Sequence, residues 1–287
     1  MANSGILMLN MRFYGDLNDF LLPARRRNCF VHSIKEPASV KDIIESLGVP
    51  HPEVELILIN GESIDFSFLV SKEVQIAVYP RFRTLDISSL SRVKPPPLAE
   101  DRFVIDVHLG KLTNYLRLCG FDVLYQNNFE DEQLATLSAQ EQRILLTQDR
   151  TLLKRSLITY GYCVRSSDPL QQLLEVIRRF DLWEAIALFR RCIRCNGLLH
   201  KVSKAMIWDR LPPFTRLNYD QFSMCQDCHK LYWPGAHYHR IQRLIDEIQI
   251  QRHRYEGSVS EEDAAPTADL EDSAMAGVLT IRTEQEV

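Results

Sequence analysis

An α/β fold built on a parallel sheet is what this sequence predicts for its central third, and three observations carry the prediction. Phe103-Val-Ile-Asp106 and Ile144-Leu-Leu-Thr-Gln-Asp149 are short apolar runs that each stop on an aspartate. Between them Leu109, Leu112, Leu116 and Cys119 recur at helical spacing, and Gly120 supplies the stop. On either side, a Pro95-Pro-Pro97 spacer and two Cys-x-x-Cys pairs mark off further folded units.

Residues 5–80 read as strand, strand, helix, strand, strand. Ile6 to Phe13 and Asn28 to Ile34 supply the first pair of strands, and Ser39 is placed to cap a helix over Val40 to Leu47 that Gly48 ends. Val54 to Ile59 leads into an Asn60-Gly61 turn, and Val74 to Tyr79 closes the set. In this order the segment resembles the ubiquitin-like β-grasp proteins, the small sulfur carriers in particular. Sulfur carriers end in a free Gly-Gly, whereas this chain runs on through Tyr79-Pro-Arg-Phe82, so a docking role toward a protein partner is expected rather than carrier chemistry. Arg25-Arg-Arg27 reads as a solvated loop, with nucleic-acid contact as its alternative. Ser91 to Asp101 reads as a stiff, extended spacer.

After Gly120, Phe121 to Tyr125 reads as a second strand, and a helix over Glu130 to Gln142 leads into the strand that ends at Asp149. Strands alternating with helices at this spacing argue for right-handed crossovers and a parallel sheet. Ligands bind outside the carboxyl edge of such sheets, so Asp106 and Asp149 are expected to converge there. Tyr162 to Asp168 looks like a third strand running into an acid. Crowded carboxylates repel one another unless a hard cation sits among them. Mg2+ or Mn2+ held in this way can bind a phosphodiester and activate a water. Taken singly, each aspartate is more readily read as a turn or N-cap residue. Asp131, between Glu130 and Glu132 at a helix start, is favoured there by the helix dipole whatever the function. Only the joint pattern points to a metal.

Beyond Asp168, Leu173, Leu174, Ile177 and Phe180 form the apolar face of a helix, and Leu182 to Arg191 is expected to continue helically into the first cysteine pair. Cys192 and Cys195 are separated by 29 residues from Cys225 and Cys228. Four thiolates in two such pairs suit a closed, tetrahedral, structural zinc site. A thioredoxin-like redox role would explain one pair but not two. Cys29, Cys119 and Cys163 lie in apolar contexts and read as core thiols. His237 and His239 begin a helix over Tyr238 to Tyr255, as polar helix-start residues, spare zinc ligands or RNA contacts. The apolar stripe of Ile241, Leu244, Ile245 and Ile248 is expected to pack that helix back on its neighbours.

Over about residues 100–240 the chain resembles the Mut-seven C-terminal RNase domain, a branch of the PIN-like nucleases. The marks are Asp106, Leu109-Gly-Lys-Leu112, Leu116-Arg-Leu-Cys-Gly-Phe-Asp122, Asp131 ahead of Leu134, and Arg143 to Arg150, in that order. The resemblance implies a PIN-like parallel sheet flanked by helices, an RNA substrate and a zinc ribbon at the cysteines. Asp106, Asp131 and Asp149 fall at the family's acidic positions, with Asp168 a looser match, and Mg2+ or Mn2+ is the implied catalytic ion. The sequence departs from the family at His108, where an apolar residue is usual. Lys111, Arg117 and Arg150 are the expected substrate contacts. The chain then parses as a β-grasp domain (1–90), a linker (91–101), a PIN-like domain (102–188), a zinc ribbon with its C-terminal helix (189–255) and an acidic, disordered tail (256–287).

Net charge is −4, yet residues 1–255 hold 33 basic against 29 acidic side chains, so the part outside the tail is mildly basic and suits a polyanion. No apolar run approaches the roughly 20 residues that span a bilayer, and the first ten residues lack a signal-peptide pattern, so a cytoplasmic protein with no membrane partner is expected. Two functions from different classes fit. One is a metal-dependent ribonuclease; the other is a non-catalytic adaptor that binds RNA or protein through the β-grasp unit and the ribbon.

Overall fold

The computed structural model describes residues 6–82, 85–235 and 244–254. The chain begins with β1 (Leu7–Phe13), β2 (Phe30–Ile34), β3 (Ala38–Ser39) and α1 (Val40–Ser46). Then come β4 (Leu56–Ile59), β5 (Glu62–Ser63), β6 (Leu69–Val70) and β7 (Gln75–Tyr79). The central stretch holds β8 (Arg102–Ile105), α2 (Gly110–Leu118), β9 (Asp122–Leu124), α3 (Asp131–Glu141) and β10 (Ile144–Thr147). It is followed by α4 (Arg150–Leu153), β11 (Gly161–Cys163) and α5 (Pro169–Phe180). The ribbon holds β12 (Leu199–Val202), α6 (Pro213–Asn218), β13 (Phe222–Cys225) and β14 (Leu231–Tyr232). By packing, the described chain divides into two units: residues up to 97 together with 149–162, and residues 98–148 together with 163–254.

The first unit is a mixed sheet in the order β2-β1-β7-β4-β5. β1 is parallel to β7 (Met11 beside Ile76) and antiparallel to β2 (Leu9 beside His32). Leu9, Met11 and Phe13 alternate with more exposed residues along β1, which is the period-2 pattern of a strand with one face in the core. α1 buries Val40, Ile43 and Ile44, and the Ser39 hydroxyl caps it by accepting from the Asp42 N–H at 3.1 Å. Asn60 and Gly61 both take positive φ, 51° and 89°, as a tight hairpin between β4 and β5 requires. This is the β-grasp arrangement that the element order implies. Ile87 joins Leu56, Leu58 and Tyr79 in a second apolar cluster, and Ser91 and Lys94 are fastened to the Glu55 carbonyl and carboxylate. The first residues of the proline spacer are thus held by this unit. Residues 149–162 pack here too: Lys154 Nζ donates to the Glu45 carbonyl at 2.6 Å, and His51 Nε2 meets the Ile158 carbonyl at 2.7 Å.

The second unit is built on the strands β10, β8 and β9, side by side in that order, with β8 parallel to both β9 and β10. Phe103, Val104 and Ile105 of β8 and all four residues of β10 are buried. Such unbroken apolar runs belong to parallel strands covered on both faces. α2 presents Leu112 and Leu116 inward and ends at Gly120, whose φ of 95° is a left-handed stop. Glu130 and Gln133 form a reciprocal capping box at the start of α3. The ribbon is a three-stranded antiparallel sheet, β12-β13-β14.

Two expectations are corrected. Leu182 to Arg191 does not continue as a helix: α5 stops where Asp181 takes φ 55°, and only a 3-10 turn, Trp183–Ala185, follows. The Ala187 and Phe189 N–H groups instead donate to the carbonyls of Cys119 and Leu118, at 2.8 and 3.1 Å, so this backbone pairs with the end of α2 rather than with itself. Cys29 is exposed rather than in the core, because the chain turns at Arg27 (φ 58°) before β2 begins; Cys119 and Cys163 are buried. Residues 244–254 are helical, with Leu244 and Ile248 buried and Gln251 accepting from Arg178 of α5 at 2.7 Å. His237, His239, the start of that helix and the acidic tail lie outside the described residues. Among the described residues, no helix is long and apolar enough to cross a membrane.

Candidate active edge and metal centre

Asp106 is the first residue beyond the central strand β8, and parallel neighbours on both sides put it at the carboxyl edge of the sheet. Its N–H donates to the Leu146 carbonyl at 3.1 Å, which keeps its backbone in register with β10. Only 7 % of Asp106 is exposed. One carboxylate oxygen accepts from the Thr147 hydroxyl at 2.6 Å and the other caps the following turn through the His108 N–H at 3.4 Å. A nearly buried carboxylate oriented by a buried hydroxyl is positioned for one task, since a rotamer change would break the Thr147 bond.

The other expected acids occupy helix starts. Asp131 is exposed in the first turn of α3. Asp168 is exposed and caps α5, accepting from Leu170 and Gln171 N–H at 3.0 Å each. Asp149, in the first packing unit, caps α4 through the Thr151 N–H at 2.7 Å. Asp149 and Asp168 therefore make the cap that each allowed singly, while at α3 that role falls to Glu130 and Asp131 is the first helical residue; a carboxylate with one oxygen in a cap still has lone pairs for a cation.

Of the expected substrate contacts, Lys111 is exposed on α2. Arg150, also exposed, donates to the Phe20 carbonyl at 3.3 Å and lies over the Phe20 ring, within the first unit. Arg117 is placed differently: it is 5 % exposed, and its Nε and Nη2 both donate to the Val123 carbonyl, at 3.2 and 2.8 Å. Its Nη1 donates to the Ile193 and Arg194 carbonyls at 3.1 Å. The guanidinium thereby braces β9 and the first cysteine knuckle against α2.

Cys192, Cys195, Cys225 and Cys228 have sulfurs that all lie within 4.8 Å of one another. Among the described residues they are the one set of three or more potential ligands whose donor atoms converge in this way. The two knuckles are built alike. Asn196 N–H donates to the Cys192 carbonyl at 2.8 Å and His229 N–H to the Cys225 carbonyl at 3.2 Å, and both turn residues take positive φ, 73° and 55°. The thiols are unequal without a cation. Desolvation together with the hydrogen bonds to the other three cysteines pushes Cys195 up to about 12 although the residue is exposed, whereas at Cys192 desolvation is outweighed by hydrogen bonds from the Tyr232 hydroxyl and the neighbouring cysteines, and its pKa comes down to about 7. Four convergent soft donors suit tetrahedral zinc, which would fix them as thiolates and leave no open position.

The first knuckle is locked to the α/β unit by polar groups that sequence reading missed. Asn196 accepts from the Val123 N–H at 3.0 Å and donates to Asp122 at 2.9 Å. Asp122 also pairs with Arg143 at 2.7 Å and with Arg191 at 3.2 Å. Burial works to raise the Asp122 pKa, but the Arg143 and Asn196 hydrogen bonds and the two arginine charges outweigh it and hold the carboxyl below its ordinary value. The available signal for Asn196 was its position directly after a Cys-x-x-Cys pair, where a left-handed residue is needed. Nothing local marks Thr147 or Arg117.

These features define an α/β protein with an oriented aspartate at its central strand edge, a four-cysteine ribbon and a β-grasp unit ahead of both. The chain belongs to the Mut7-C RNAse domain family, whose model matches residues 101–245. Residues 7–86 match the Mut7-C ubiquitin model. Neither a curated protein nor a solved structure matches the chain.

Proposed function

We propose that this protein is a metal-dependent ribonuclease that hydrolyses RNA phosphodiester bonds. The observation that carries the reading is Asp106, nearly buried at the carboxyl end of the central parallel strand and oriented by Thr147, in a chain of a nuclease family. Asp106 is the anchoring carboxylate, with Asp149, Asp131 and Asp168 as the further acids of the sequence pattern. Mg2+ keeps several waters and needs only one or two carboxylates, so a compact four-acid cage is not required. A bound Mg2+ or Mn2+ would supply charge to polarise the phosphodiester and lower the pKa of a water. Thr147 holds the Asp106 carboxylate in place, Lys111 and Arg150 offer exposed positive charge to RNA phosphates, and Arg117 acts on substrate through the wall it braces. The cysteines hold a structural zinc, the β-grasp unit docks a protein partner, and residues 91–101 are the linker between the 1–90 and 102–255 functional parts, in a reducing cytoplasmic setting.

The rival is a non-catalytic adaptor, favoured by the cap hydrogen bonds at Asp149 and Asp168. Incubating the purified full chain with mixed RNA, with and without Mn2+, separates the two. Cleavage that requires Mn2+ and is lost in Asp106→Asn, while zinc content and melting temperature stay near wild type, is the expected result. Binding without cleavage at any Mn2+ concentration would leave the adaptor.

A further inference from the structure

A cavity of about 650 Å³ opens between the first turns of α2, the loop after β9 and the cysteine knuckles. That volume is within the roughly 300–1,000 Å³ usual for small-ligand sites. Its floor reaches the active edge: the Tyr125 hydroxyl donates to the carbonyl of Val107, the residue after Asp106, at 3.0 Å. Gly110 leaves room for that ring, since a Cβ there would stand 2.6 Å from the hydroxyl and push it aside. No carboxylate lines the cavity, and Arg194 and Lys230, one from each knuckle, are exposed on its rim. An anion is therefore the favoured guest, and a bare cation is not. From α2 and the loop after β9 the lining adds Asn114, Gln126 and Asn127, all exposed. A carboxamide offers a donor and an acceptor together, which matches the mixed edge of a nucleobase but not the uniform acceptors of a phosphate. Bases of single-stranded RNA are read in this way, splayed out and hydrogen-bonded along their edges.

We propose that this cavity is a base-reading subsite for single-stranded RNA. Asn114, Gln126 and Asn127 contact the base edge, and Arg194 and Lys230 hold the flanking phosphates. The ribbon is then part of the substrate cleft, and its metal organises a binding wall as well as a fold. The assignment rests on the ribonuclease reading, and the test keeps the two apart.

Anisotropy of labelled oligouridylate, oligocytidylate and oligoadenylate, without added Mg2+ or Mn2+, measures binding by the full chain and two variants. Asn114→Ala/Gln126→Ala/Asn127→Ala should weaken one oligomer about ten-fold more than the others and leave the salt dependence unchanged. Arg194→Ala/Lys230→Ala, with zinc content unchanged, should weaken all three alike and make the slope of log affinity against log salt shallower by about 1.4, two phosphates' worth for a single strand. Wild-type affinities in both variants, equal losses for all oligomers in the amide variant, or no binding by the wild type would each overturn the subsite. Cleavage is scored separately with Mn2+. A chain that binds as expected and never cuts loses the nuclease reading and keeps the subsite; one that cuts with unchanged base preference in the amide variant keeps the nuclease and loses the subsite.

Discussion

Asp122 shows how much one side chain decides. Its carboxylate meets Arg143 before β10 and both Arg191 and Asn196 of the first knuckle, two stretches of chain nearly 50 positions apart. Because its pKa is lowered on folding, it contributes stability that is fully present above the ordinary carboxyl pKa of about 3.9 and is lost as pH falls through the lower folded value. Asp122→Asn should accordingly be less stable than wild type at about pH 7 and approach it at about pH 3. Urea melts of both proteins across that window check the sign, and a gap that stays constant with pH would show that the charge is not what matters. Asp149 poses a different question, since asparagine caps a helix about as well as aspartate, within well under roughly 1 kcal/mol. Asp149→Asn should therefore melt like wild type while Mn2+ affinity falls at least about ten-fold by calorimetric titration, if the residue is a ligand as proposed. Unchanged affinity would reduce it to a cap.

At the scale of elements, the join between α2, β9 and the first knuckle depends on a buried cation rather than on apolar area. Arg117→Met keeps the length and apolar stem of the side chain but leaves the Val123, Ile193 and Arg194 carbonyls without their donor. Charge-assisted hydrogen bonds contribute roughly 1.5–3 kcal/mol each, with partial recovery by water, so a loss of about 3 kcal/mol is expected in denaturant melts. Zinc should be retained, because none of the four sulfurs is touched. The ribbon itself depends on its ion: about one zinc per chain should copurify, and Cys192→Ser should lose most of it along with cooperative melting of the ribbon. Metal analysis that finds no zinc in protein prepared without chelator would sink the assignment, as would a Cys192→Ser variant with full zinc and full stability.

At the scale of the whole molecule, a β-grasp unit, an α/β nuclease-family unit and a four-cysteine ribbon lie on one chain, and they differ in how far they could be read without coordinates. Local rules marked the strands, because apolar periodicity and the Asn60-Gly61, Gly48 and Gly120 stops act within a few residues. The same holds for the helix starts at Ser39, Glu130 and Asp168, whose caps bond to N–H groups two or three positions on. The two Cys-x-x-Cys pairs were legible because a knuckle is itself a local turn. Leu182 to Arg191 was misread, since a helical pattern there lost to backbone pairing with Cys119 and Leu118, nearly 70 positions back. The bonding of Arg117 was not legible for the same reason: a cation on a helix can point to solvent or to buried carbonyls, and only the arrival of the knuckle at Ile193 and Arg194 decided which. Thr147 against Asp106, Asn196 against Asp122, and the amide-lined cavity beside the knuckles likewise exist only once strands and ribbon are packed. The sequence by itself determined most of the strands and helices and the four cysteines that could hold a metal, because those depend on neighbours along the chain. Tertiary structure decided which polar groups meet, because a buried donor must find an acceptor wherever packing brings one, and that place is not encoded in local spacing.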